Sequence, residues 1–116
     1  MRAGKLKQRV SIQHWLVGSP ARSETGEALG DWVDLYEDLP AEWVTLTGRA
    51  LFAAQEHHAE VRGIWRIRWM DGITEKMRVV DNGLYYDILW VPPYDRKGRH
   101  AEMELECSQG VRDLNG

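Results

Sequence analysis

From Glu60 to Met70 the chain reads Glu-Val-Arg-Gly-Ile-Trp-Arg-Ile-Arg-Trp-Met, and Val61, Gly63, Trp65, Ile67 and Trp69 fall on one side at period two. Arg62, Arg66 and Arg68 fall on the other side with Ile64 and Met70. A strand with one buried face is expected over 61–70. Leu6, Gln8, Val10 and Ile12 alternate with Lys7, Arg9, Ser11 and Gln13, a first strand with a cationic outer face. Asp31 to Leu46 carries Trp32, Leu35, Trp43, Val44 and Leu46 but is interrupted at Leu39-Pro40. Proline cannot donate to a ladder, so two short strands or one bent edge strand are expected there. Asn82-Gly83 tolerates positive φ at both central turn positions and predicts a type I′ hairpin joining Met77–Asp81 to Leu84–Val91, with Leu84, Tyr86, Ile88 and Trp90 on one face. Ala101, Met103, Leu105 and Cys107 alternate with Glu102, Glu104 and Glu106 in a last strand.

Between these elements lie segments of other character. Gly18 to Gly30 is rich in Gly, Ser and Pro without usable periodicity, and a long mobile loop is expected. Residues 48–59 form the one helix-like segment: Thr47 is placed to cap it, and Leu51, Phe52, Gln55 and Ala59 share a side. Tyr94 to His100 reads as a basic loop, and the polar tail 108–116 as a frayed end. Six or seven short strands, hairpin turns and one short helix make a small antiparallel β-barrel or sandwich the economical fold, since closing the sheet also removes exposed edges.

Composition sharpens this picture in three ways. A chain of 116 residues with 43% apolar content is expected to form a single domain over 1–116, and six Trp and four Tyr give it an aromatic core. The lone cysteine has no internal disulfide partner, and no apolar run is long enough for a membrane span or secretory core, so folding in a cytoplasm is expected. Residues 1–22 carry five basic side chains and no acid, whereas residues 23–48 carry seven acids and no base. That segregation predicts faces of opposite sign, suited to copies packing side by side or to repelling a polyanion.

The motifs that would signal catalysis are weak. His57-His58, flanked by Glu56 and Glu60, is the best metal-like cluster, but adjacent helical positions point about 100° apart and cannot easily share one ion. His100-Ala-Glu102 resembles part of a zinc-deaminase signature without its cysteine pair. Phosphate-binding loops and nucleophile elbows are missing from the sequence. The expectation is therefore a non-enzyme with no catalytic, cofactor or metal residues. The arginines and tryptophans of 61–70 also resemble the basic and aromatic mix of an oligonucleotide-binding barrel, but alternation puts the two residue types on opposite faces. A free-standing barrel binding single-stranded nucleic acid is the alternative reading.

Trp43, Thr47-Gly48-Arg49 leading into Leu51-Phe52-Ala53-Ala54-Gln55, and Ile67-Arg68 occur in an order shared with a known family. Gly72-Ile73-Thr74, Met77-Arg78-Val79 and Tyr86-Asp87-Ile88-Leu89 continue it, with Gly4-Lys5-Leu6, Arg9-Val10 and Ile12-Gln13 upstream and Arg96 and Leu105 downstream. In this the chain resembles the head–tail joining (head-closure, or stopper) proteins of tailed bacteriophages and prophages. Ala50 stands where that family's pattern leads one to expect a polar or acidic residue. The resemblance implies a virion protein assembled in the host cytoplasm at the head–tail interface. It implies a ring of twelve copies below the portal and its adaptor, docking a tail-terminator or tail-tube protein, with packaged double-stranded DNA in its channel and no sequence recognition or membrane. A neighbouring connector or tail-terminator subunit is a further alternative. On this reading Ser23, Glu24, Thr25, Gly26 and Glu27 are candidate channel-loop residues. Arg62, Arg66 and Arg68 with Glu102, Glu104 and Glu106 are the candidate subunit interface, and Arg49, Phe52 and Gln55 the candidate partner-facing side of the helix.

Overall fold

The computed structural model describes residues 6–22, 28–92 and 102–112. Seven strands and one helix follow in the order β1 (Gln8–Arg22), β2 (Ala28–Thr45), α1 (Gly48–Gln55), β3 (Gly63–Arg68), β4 (Arg78–Asp81), β5 (Leu84–Trp90), β6 (Glu102–Cys107) and β7 (Val111–Arg112). Neighbouring strands run antiparallel in the order β4-β1-β2-β3-β6-β5, and β4 also pairs with β5, so these six close into a barrel. The short β7 adds to β5 through Leu84↔Arg112 and Tyr85↔Val111. Residues 111–112 of the expected frayed tail are thus a strand.

The alternation in β3 places the core as expected. Val61, Trp65 and Ile67 are fully buried, and Trp65 and Ile67 join Val10, Ile12, Ala41, Val79, Ile88, Met103 and Leu105 in one core cluster. Trp43, Trp65 and Tyr86 form a triangle of rings at 4.8–5.5 Å, which fills the lumen between β2, β3 and β5. A barrel this narrow has an interior just wide enough for side chains. Gly63 belongs to that packing: a Cβ there would strike the Trp43 ring and come within 2.6 Å of the Val44 carbonyl oxygen.

Four expectations need correction. Asp31 to Leu46 is not two short strands but one long bent strand, β2, unbroken from Ala28 to Thr45 and an edge only before Ala41. Its register with β1 steps from Val10↔Leu39 to Ile12↔Tyr36 and then to Gln13↔Asp34, one extra β2 residue at each step. These two bulges, with Asp38 at φ 54°, bend the strand without ending it. Pro40 is tolerated because β3 joins β2 only from Ala41 onward. Second, most of the loop expected over 18–30 is hairpin, since β1 reaches Arg22 and β2 starts at Ala28, with Val17↔Gly30 and Arg22↔Ala28 paired. Backbone pairing, which leaves no mark in side-chain alternation, carries that extension. Third, α1 stops at Gln55 rather than 59, and Thr47 makes no side-chain cap bond. Fourth, Ile64 lies on the outward side of β3 and is nonetheless buried. The end of α1 explains this: His57 reaches Glu106, the register partner of Ile64, and so brings the helix over that part of the sheet.

The Asn82-Gly83 turn is as expected, with φ of 50° and 85° at its two positions. The segregated charges prove to lie on adjacent strands. Basic β1 and acidic β2 are hairpin neighbours, and Arg9 Nη1 donates to the Asp38 carbonyl at 3.4 Å.

Candidate functional site

The outer face of β3 and β6 gathers most of the expected interface residues. Antiparallel register sets Arg66 opposite Glu104, Arg68 opposite Glu102 and Ile64 opposite Glu106. Arg66 Nη1 donates to Glu42 Oε1, while its Nε and Nη2 donate to Glu104 Oε2 at 3.3 and 2.9 Å. The Glu104 carboxylate, aided by Glu42 and opposed by partial burial, raises the Arg66 guanidinium above its ordinary value. Arg66 and Glu104 therefore meet within one chain, because β3 and β6 are neighbours in the barrel. Arg62 stands apart: its Nη1 donates to the backbone oxygens of Ala59 and Val61 at 3.0 and 2.9 Å and pins the turn before β3. Arg68 is exposed and joins no ion pair among the described residues.

Helix α1 buries only part of the side that helical spacing groups together. Ala54 is buried and Leu51 partly so, whereas Phe52 is 77% exposed. Gln55 Nε2 donates to the Val61 carbonyl at 3.1 Å, so this expected partner-facing residue ties the helix to β3 instead of facing out. Arg49 and Phe52 do face solvent. Just past the helix, His57 stacks on Trp90 at 4.4 Å with the planes 6° apart. Its Nδ1–H donates to Glu106 Oε1 at 2.8 Å, the tautomer a carboxylate acceptor requires. His58 Nδ1 accepts from the Glu60 amide. The two imidazoles thus serve separate structural contacts, and no group of three His, Cys, Asp or Glu is placed to hold a metal among the described residues. Cys107 is buried, donates to the Leu105 carbonyl at 3.3 Å, and burial pushes its thiol far above the ordinary value. A thiol held neutral in this way is a small apolar filler, not a nucleophile.

The sequence reading missed an aromatic cluster on the outside of the β1–β2 hairpin. Trp15 and Trp32 are register partners and pack edge to face at 5.6 Å. The Arg78 guanidinium lies 4.2 Å from the Trp32 ring and 4.0 Å from Tyr85, and its Nε donates to Gln13 Oε1, whose amide in turn donates to Asp34. Each cation–π contact at such an exposed site contributes about 0.5–1 kcal/mol. Trp15 was within reach of period-two reading, lying outward beside Gln13, but Trp32 was hidden behind the bulges of β2. The candidate channel residues Ser23, Glu24, Thr25, Gly26 and Glu27, and the basic loop 94–100, lie outside the described residues. Among those described, no helix is long and apolar enough to cross a membrane.

Comparison with known proteins agrees with this architecture. A family model described as "Phage head completion protein" matches residues 1–110. The solution structure of protein SF1141 from Shigella flexneri 2a is similar, with a TM-score of 0.69 and 24% identity over 97% of this chain and 100% of that one, a likeness of fold. No curated protein matches the chain.

Proposed function

The chain belongs to the phage head completion protein family, and on that premise we propose that it forms a ring beneath the portal and adaptor which closes the DNA-filled head and docks the tail. The family is structural and works alongside other phage head and tail proteins, which makes this chain a virion component. The match across residues 1–110 carries the reading, because it spans the whole barrel and α1, not one motif. A closed barrel supplies a rigid unit without free sheet edges at its waist, as a repeated building block needs. The β1–β2 hairpin extends away from that waist, and residues 23–27, which join its strands in sequence, are the segment proposed to reach the channel. Acidic side chains there would repel DNA without binding it. Arg49 and Phe52, exposed on α1, offer a surface to another subunit of the assembly.

Tail-less heads incubated with and without the purified protein, imaged by negative stain, test this directly. Retention of DNA and acceptance of tails are expected only with the protein. Heads that behave alike in both conditions would refute head closure. The nucleic-acid alternative loses its proposed platform, since Trp65 is fully buried and exposed Trp15 lies beside Trp32 on a strand rich in carboxylates.

A further inference from the structure

The barrel leaves one part of its own sheet without neighbours. β4 pairs with β1 only at Ser11–Gln13, and β3 meets β2 only from Ala41. Beyond Gln13 and Asp34 the hairpin is therefore a two-stranded arm among the described residues. A ribbon of this kind is marginal in water unless another surface covers it. On the face continuous with Ile12 and the barrel interior, Leu16 is 52% exposed and sits opposite Asp31, its register partner. The acidic strand adds exposed Asp34, Glu37 and Asp38. A side-chain hydrogen bond with Asp34, and then its like charge, raise the Glu37 carboxyl above its ordinary value.

The matching surface lies at the other end of the molecule. From the arm, β2 runs the length of the barrel to Thr45 and leads directly into α1. On that helix Arg49 and Phe52 are three residues apart and so share a side. Both are exposed, and Arg49 joins no ion pair among the described residues. An apolar residue beside an acid, Leu16 with Asp31, thus faces its complement, an apolar residue beside a cation, Phe52 with Arg49.

We propose that the arm of one copy packs on the outward side of α1 of a second copy, Leu16 covering Phe52 and Asp31 meeting Arg49. The two surfaces differ and lie at opposite ends, so the contact is heterologous and repeats from copy to copy, closing a ring when the rotation allows. The inference rests on the ring reading above and names which surfaces make the ring.

Its test uses heads completed with the full chain. With a photo-crosslinking benzoylphenylalanine in place of Leu16, irradiation should give a product of twice the monomer mass, with the crosslink mapped to residues 48–56. A product with any other protein, a self-crosslink elsewhere, or no product would overturn the proposal. Charge exchange provides an independent arm. Asp31→Arg and Arg49→Glu alone should each lower incorporation into heads about tenfold with the thermal midpoint unchanged, and the double variant should restore it. Failure of the double variant to restore incorporation also overturns the pairing. Should unaltered protein fail to bind heads at all, head completion itself is the reading that fails.

Discussion

Replacing Arg66 with Met keeps most of the aliphatic stem and removes the charge, and so isolates the ion-pair triad on the β3–β6 face. Arg66 is 25% exposed, and its partners Glu42 and Glu104 are 30% and 53% exposed, so solvent screens both pairs. Screened pairs of this kind contribute about 0.2–1 kcal/mol each. Removing the cation also leaves two carboxylates flanking an empty site, which adds repulsion. The sum is a loss of about 1–2 kcal/mol, which for a domain of this size lowers the thermal midpoint by about 4–8 °C. Calorimetry on wild type and Arg66→Met in dilute buffer should show that gap. In 1 M salt, where the screening length falls to about 3 Å, the gap should shrink. A midpoint within about 1 °C of wild type, together with lost head completion, would refute the internal triad and make Arg66 a contact between copies.

Other consequences follow from the packing. Gly63→Ala drives a methyl group into the Trp43 ring and the Val44 carbonyl, and should cost about 3 kcal/mol or more, read as a collapse of the denaturant midpoint. Gly83→Val places a β-branched residue at φ 85° and should destabilise the β4–β5 hairpin by about 1–3 kcal/mol; an unchanged midpoint would rule out the type I′ turn. Cys107 gives a pH signature. Its folded thiol is raised above the ordinary 9.0, so both states hold the proton below that pH. Above it only the unfolded thiol ionises, so stability falls as pH rises, by about 1.4 kcal/mol per unit. Urea midpoints between pH 9 and 10 should decline in wild type and flatten in Cys107→Ala; above pH 10 the raised Tyr86 hydroxyl adds a decline in both.

β3, β6 and the first part of β5 were legible because their alternation is unbroken there. β3 and β6, and β5 as far as Ile88, bury residues at period two in the sequence's own phase, and Asn82-Gly83 leaves little choice of turn. Trp90, expected on the same face as Ile88, is turned outward by the bulge between them and stands opposite Glu106. β2 resisted because its inward positions are Ala41 and Leu39, then Tyr36, then Val33, a phase that changes twice at the bulges. Read at constant period two, such a strand looks like fragments. Gly30 pairs with Val17 and Ala28 with Arg22 through backbone groups, which Gly, Ser and Pro content conceals. For the candidate site, sequence marked Arg66 and Glu104 but could not tell internal pairing from pairing between copies, because strand adjacency depends on β6 lying beside β3. It named Arg49, Phe52 and Gln55 as one outward side of α1, of which Gln55 turns in to the Val61 carbonyl. The docking of His57 on Trp90 and Glu106, together with the Gln55 bond to Val61, fixes the helix's rotation.

The two bulges in β2 have a consequence for how this chain can change. At each, two β2 residues stand against a single step of β1, so losing one of them leaves a regular ladder with every partner and every face preserved. A deletion within Glu37–Asp38, or of Leu35, would straighten the strand without turning Trp32 or Asp31 to the opposite side. The same deletion one turn of the ladder away, among Trp32–Asp34, would reverse the faces of everything upstream. The bulges therefore act as length-tolerant joints, through which lineages can re-aim the arm by gaining or losing single codons while the residues it presents stay in place.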